Sequence, residues 1–244
     1  ELIRHSISKL SQIHFVSNLK AKKRLIQMGE NSESIHVIGS PDIDLMFSND
    51  IPSIEEAKNK YDIYFEKYSI CLFHPVTTEI DLIKSQVSIL KKALLLSEKN
   101  YIIIYPNNDF GSQSIIDCFN SIKSKKIKII PSLRFEYFLT LLKNSSFIIG
   151  NSSAGIREAP YYSLPTINLG SRQKNRDINN SIFNLDFDVD KILEKINELG
   201  EVKFPKSSLN FGKGDSAIKF MKILENDATW ETKTQKQFME IEFN

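Results

Sequence analysis

The 244-residue chain carries 32 basic and 30 acidic residues, a net charge of +2, so no one-signed field points to nucleic acid or an anionic membrane. Apolar residues make up 41 % and charged ones 25 %, a balance that suits a globular protein with a sizeable core. No apolar run reaches the roughly 18 residues of a membrane span, and no signal-peptide stretch opens the chain. The first pattern, Leu2, Ile3, Ile7 and Leu10, predicts a helix already under way at an end without Met, so upstream sequence is expected. "IHFVSN" then reads as a short strand, and Leu19, Leu25, Ile26 and Met28 mark an amphipathic helix ending near Gly29. "IHVIGSPDID" gives a strand that stops at the Gly39-Ser40-Pro41 turn.

After a helix over Ser53–Tyr61 the pattern becomes regular. Strand "YSICLFHP" leads to helix Ile80–Ser97, and strand "YIIIYP" to helix Ser112–Ile122. "IKII" precedes helix Arg134–Leu142, "FIIG" precedes helix Gly155–Tyr161, and "PTINLG" closes the series. Strands alternating with helices predict an α/β fold, a Rossmann-like parallel sheet with right-handed crossovers. Ligands of such sheets lie beyond the carboxyl ends of the strands. That edge carries His74-Pro75, Pro106 to Asp109, Pro131 to Leu133, Asn151 to Ser153 and Gly170 to Arg172. The tail "WETKTQKQFMEIEFN" sets Trp230, Phe238, Ile241 and Phe243 among charges and predicts an amphipathic terminal helix.

The stretch Phe147–Pro160, "FIIGNSSAGIREAP", runs a buried strand through Gly150 into three good N-cap residues. Unpaired N–H groups and the positive end of a helix dipole there would suit a phosphate. In isolation the serines need only cap a helix. Neither GxGxxG nor GxxxxGK[ST] occurs, which weakens dinucleotide and P-loop readings. Cys71 and Cys118 lie in apolar settings without CxxC spacing, so reduced core thiols of a cytoplasmic protein are expected, with no metal.

Four blocks in order, "RHSISKLSQIHFVSN", "HPVTTE", "GNSSAGIREA" and "NLGSRQKNR", resemble the hydrolysing UDP-N-acetylglucosamine 2-epimerases of the sialic- and legionaminic-acid branch. The likeness runs along nearly the whole chain and is weakest over Ser48–Lys67. It implies the carboxyl-terminal half of a two-domain GT-B fold. Residues 1–40 would end the amino-terminal domain and form a linker, residues 41–225 would form the UDP-binding domain, and residues 226–244 a helix packing back toward the amino-terminal domain. The family match makes Ser152 and Ser153 contacts to the UDP diphosphate and Glu158 the acceptor of the ribose hydroxyls, which a carboxylate suits with its two oxygens. It makes Arg172 the arginine over the nucleotide, Leu133 a backbone contact to uracil, and Asn107 a polar nucleotide contact. His74 becomes the histidine needed for activity, stabilising charge on the leaving UDP or moving a proton. Most catalytic acids would lie in the amino-terminal domain, with Glu1 a remnant of one acidic pair.

The implied reaction eliminates UDP from a UDP-sugar, through a glycal, and then hydrates it to the 2-epimer. It implies no cofactor, metal, nucleic acid or membrane, and partners limited to the UDP-sugar, the amino-terminal domain and a homodimer mate. Departures fall at Asn175, where the family has Gly, and at Asn179-Asn180-Ser181, which loses an acid and leaves sugar choice open. Gln113 replaces the basic residue of the animal allosteric site, so no such feedback is expected. A non-catalytic UDP-binding module and a GT-B glycosyltransferase remain the alternative readings.

Overall fold

The computed structural model describes residues 2–48, 50–173, 180–199, 210–233 and 235–240. In chain order it begins with α1 (Leu2–Leu10), β1 (His14–Val16), α2 (Leu19–Gln27), β2 (Ile35–Val37) and α3 (Pro41–Phe47). Next come α4 (Ile54–Lys60), β3 (Ser69–Leu72), α5 (Ile83–Leu96), β4 (Tyr101–Ile104), α6 (Ser112–Asn120) and β5 (Ile127–Ile130). They lead to α7 (Phe135–Lys143), β6 (Ile148–Gly150), α8 (Ala154–Arg157), β7 (Thr166–Leu169), β8 (Ile182–Leu185) and α9 (Val189–Glu198). Then α10 (Ser216–Leu224) and α11 (Asp227–Trp230) follow. No helix among the described residues is long and apolar enough to cross a membrane.

The chain divides into two compact units, Ile51–Ser208 and the combination of Glu1–Asp50 with Leu209–Asn244. Within the second of these units α3 and α10 pack against each other.

The larger unit is built on a parallel six-stranded sheet of order β5-β4-β3-β6-β7-β8. Its central strands are continuous apolar runs, as burial on both faces requires. One face carries Cys71, Ile103, Ile149 and Ile167 against Val87, Leu90 and Leu94 of α5, Phe119 of α6 and Ile192 and Ile196 of α9. Alternate residues Ile70, Ile102 and Ile148 are equally buried, and α4 packs beside α7. Each such Ile or Leu contributes roughly 2 kcal/mol of burial. Local signals close the ends: Ser53 and Glu56 form a capping box on α4, and Asp188 caps α9 through the N–H groups of Asp190 and Lys191.

Several expected elements differ. β8 and α9 extend the series past "PTINLG"; β8 is a half-buried edge strand. The helix expected from Ile80 starts at Ile83, after a 3-10 segment Thr77–Leu82 kinked at Glu79 (φ −126°, ψ 31°). The helix expected over Gly155–Tyr161 is a single turn, α8, followed by a 3-10 turn Ala159–Tyr162. Pro160 has no N–H with which to continue the helix. Of the terminal helix expected over 226–244, only α11 is helical among the described residues.

In the smaller unit β1 and β2 pair in parallel, with His14 opposite Ile35 and Val16 opposite Val37. The carboxylate of Asp44 on α3 accepts from Ser216 N–H (3.0 Å), Ser216 Oγ (2.7 Å) and Ala217 N–H (2.8 Å), capping α10 from a distant point in the chain. Beyond α11, Lys236 Nζ donates to the α1 carbonyl of Ser8 (2.8 Å) and to Ser11 (2.6 Å), and reaches the fully buried Glu30 carboxylate at 2.5 Å. The Phe238 ring lies so near Gly29 that an added Cβ would stand 2.4 Å from it. With the bond from Met239 N–H to the Gly29 carbonyl (3.1 Å), these contacts stand among the described tail residues where a helix was expected; Ile241 and Phe243 lie outside the described residues. Leu2, Ile3, Ile7 and Leu10 of α1 are exposed.

Burial alone would raise the Asp44 carboxyl, but the bonds from Ala217 and Ser216 hold it below the ordinary carboxylate range. Because the folded value is depressed, the stabilisation is present above about pH 4 and fades as pH falls through the folded value. Asp44→Ala should therefore cost about 2 kcal/mol at neutral pH, with the gap to wild type narrowing in acid, read by urea denaturation at several pH values.

Candidate functional site

The strand order of the larger unit reverses direction between β3 and β6, and there the two strand-end loops diverge and open a crevice. A cavity of about 680 Å³ occupies it, lined among others by His74, Asn107, Leu133, Ser152, Ser153, Glu158 and Arg172. The residues expected from sequence to serve the nucleotide, together with His74, thus line one cavity. Glu1 lies outside the described residues, as do Asn175 and Asn179.

The β6 end is built by close approach. Gly150 has φ +137°, and a Cβ on it would stand 2.1 Å from the Leu72 carbonyl oxygen. Only glycine adopts this backbone without strain. Asn151 then turns its buried side chain toward β3. Its Oδ1 accepts from His74 N–H at 2.7 Å and its Nδ2 donates to the His74 carbonyl at 2.8 Å. The Asn151 carbonyl accepts from Arg172 Nη1 (3.0 Å) and from Gln173 Nε2 (2.9 Å). One residue therefore ties the loops after β3, β6 and β7 together.

His74 is buried, and its Nδ1 accepts from the Asn107 N–H at 3.2 Å. The neutral ring consequently carries its proton on Nε2, as a hydrogen-bond donor. Burial first, and then the Arg172 charge, lower its pKa to about 4, with Asp109 opposing. Such an imidazole is neutral near pH 7. It is suited to donate to an oxyanion rather than to gain and lose a proton there.

Ser152 Oγ accepts from Ala154 N–H at 3.2 Å, so the serine does cap the turn, while Ser153 makes no such side-chain bond. The short α8 brings only a small dipole, and local N–H groups matter more than a macrodipole. Glu158 closes α8, buried, so it stands one turn from the serines and not far along a longer helix. Near it the Tyr162 hydroxyl is pushed up to about 12 by burial and by the Glu158 charge. Arg172 adds a guanidinium to the cavity lining, with forked donors that fit phosphate oxygens. Among the described residues no cluster of His, Cys, Asp and Glu is arranged to hold a metal.

Sequence reasoning named Asn151 only as an N-cap candidate on the ligand edge, and did not single out Glu79, Tyr162 or Gln173. Glu79 accepts from Ser171 Oγ and, at 3.1 Å, from Gln86 Nε2, so it links the kinked 3-10 segment to the loop carrying Arg172. The signal available for Asn151 was its place directly after the strand-ending glycine, and for Glu79 its place closing "HPVTTE".

A parallel sheet in this order with polar loops around its switch point defines a Rossmann-like α/β unit. Residues 1–225 match the model of the UDP-N-acetylglucosamine 2-epimerase family, and the chain belongs to that family. It is 46 % identical over 242 residues to a UDP-N-acetylglucosamine 2-epimerase of Neisseria meningitidis, covering 98 % of this chain and 64 % of that protein. A UDP-N,N'-diacetylbacillosamine 2-epimerase (hydrolyzing) of Legionella pneumophila is 34 % identical over 228 residues, covering 92 % of this chain and 60 % of the relative. The crystal structure of a Neisseria meningitidis UDP-GlcNAc 2-epimerase bound to UDP-GlcNAc superimposes with a TM-score of 0.67 at 20 % identity, over 90 % of this chain and 63 % of that one. The chain thus spans somewhat less than two thirds of the length of these proteins.

The depressed His74 value carries its own sign. The unfolded chain takes up a proton near 6.5 and the folded one only near 4, so this histidine costs stability as pH falls between those values. NMR titration of the ligand-free protein should give the His74 ring a midpoint near 4, and Arg172→Gln should move it upward toward 6.5.

Proposed function

We propose that this chain is the nucleotide-binding part of a hydrolysing UDP-sugar 2-epimerase acting on 2-acetamido sugars. The observation that carries the reading is the convergence of His74, Ser152, Ser153, Glu158 and Arg172 on one cavity at the switch point. The two relatives act, by their names, on UDP-N-acetylglucosamine and on UDP-N,N'-diacetylbacillosamine, which share the 2-acetamido group and the UDP.

In this reading Ser152, Ser153 and Arg172 hold the diphosphate, and Glu158 accepts from the ribose diol. Leu133 and Asn107 flank the base side. His74 offers Nε2–H to the β-phosphate as the bond from C1 to oxygen breaks, stabilising charge that grows on the leaving UDP. A base removes the C2 proton, the electron pair of that bond forms the C1=C2 double bond, and UDP departs. Water then returns hydroxyl to C1 and a proton to the opposite face of C2, giving the free 2-epimer. The carboxylates for those proton transfers come from an amino-terminal domain, Glu1 among them, in a cytoplasmic and dimeric enzyme that supplies sialic- or legionaminic-type acid synthesis. The exposed apolar residues of α1 support a further domain covering that helix.

Calorimetry of the chain with UDP should show saturable binding, weakened about tenfold by Ser152→Ala and by Glu158→Ala. The full-length protein should release UDP and the 2-epimer from a UDP-2-acetamido sugar without any acceptor. UDP release only in the presence of a sugar acceptor would establish a transferase instead, and UDP binding without turnover would establish a binding module.

A further inference from the structure

We infer that Asn151 is a positioning residue for His74, its buried side-chain amide standing in for a missing rung of the parallel sheet. The last ladder bond between β6 and β3 is Asn151 N–H to the Leu72 carbonyl, at 3.2 Å. The β6 backbone has already turned at Gly150, so no further rung follows that bond, while the chain after β3 continues to His74. A backbone neighbour would have supplied an acceptor for the His74 N–H and a donor for its carbonyl. The Asn151 carboxamide supplies both, at 2.7 and 2.8 Å, and is itself 1 % exposed.

Carboxamide chemistry is required here. Aspartate cannot donate to the His74 carbonyl, and serine presents a single short hydroxyl. With the peptide fixed from the β6 side and the ring fixed from the β4 side by the Asn107 N–H, the imidazole has one nitrogen left, and the cavity is where it can act. The charged groups that bear on the ring are Arg172 and Asp109. Asn151 also holds Arg172 and Gln173, but through its carbonyl, which survives substitution of the side chain. The side chain therefore acts on His74 and the main chain on Arg172, and the two roles are separable.

The assignment rests on the proposed role of His74, and its test distinguishes the two. In the full-length protein Asn151→Ala should lower kcat about a hundredfold, the scale of an ångström-level misplacement, while UDP affinity changes by less than about threefold. Asn151→Ser, whose short hydroxyl stops one atom before the positions of Oδ1 and Nδ2, should fall close to Asn151→Ala. In a His74→Ala background Asn151→Ala should cost little more, because both substitutions remove the same contribution. Equal costs in the two backgrounds, or an unchanged kcat, overturn the assignment. If the wild-type protein lacks epimerase activity, the functional reading fails and the ligand-free His74 titration decides. A midpoint that moves upward from about 4 in Asn151→Ala supports positioning, and an unmoved midpoint overturns it.

Discussion

The crevice of the larger unit depends on a buried amide meeting a buried peptide. Asn151 and His74 are 77 residues apart in sequence, yet their groups form a closed pair with both bonds under 2.9 Å. Two polar groups withdrawn from water at a strand end would each cost free energy if left alone. Together they turn that liability into a constraint on three loops. A parallel sheet must end somewhere, and its last N–H and C=O groups must be satisfied. Here the satisfaction comes from a side chain, which leaves room for the two strands to part.

The strand order supplies the rest. Because β3 and β6 are neighbours whose crossovers lead to opposite sides, their loops diverge from a common line, and an open crevice follows from topology alone. The apolar layer beneath it, Phe73, Ile149 and Ile167 among others, anchors the floor. Gly150 and Gly155 permit the close approaches above that floor; an added Cβ on Gly155 would stand 2.5 Å from the Thr166 methyl. The polar crevice is thus held by the same strands that form the core, so its geometry is as rigid as the sheet. Across it, Glu79 fastens the kinked segment after His74 to Ser171, next to Arg172.

Much of this was legible in the sequence, for identifiable reasons. The runs around Ile70, Ile102 and Ile148 announce doubly covered strands, and the polar residues that follow each run locate the ligand edge. Four motif blocks then identified the family and nominated the cavity residues. What escaped was of two kinds. β8 is one short, half-buried strand beyond the regular alternation, and among the described tail residues contacts from Lys236 and Phe238 stand where a helix was expected. The Asn151–His74 pair escaped because it is a relation between residues far apart in the chain, and a spacing pattern reports only local neighbours. Glu158 was legible as a residue but not in place, because Pro160 cuts its helix to one turn.

The electrostatics of the crevice bear on what kind of chemistry its histidine can do. A general acid or base works best when its pKa lies near the working pH, and His74 is held far below that by burial and by Arg172. The same two features are those that strengthen a neutral hydrogen bond to an anion, since low polarity amplifies it and a nearby cation attracts the charge. A diphosphate entering the crevice would add negative charge beside the ring and raise its proton affinity, so the free and occupied sites differ in the protonation that they favour. The Asn107 N–H on Nδ1 resists that protonation, because a protonated ring has no lone pair to accept it. The backbone thus biases His74 toward a fixed neutral donor.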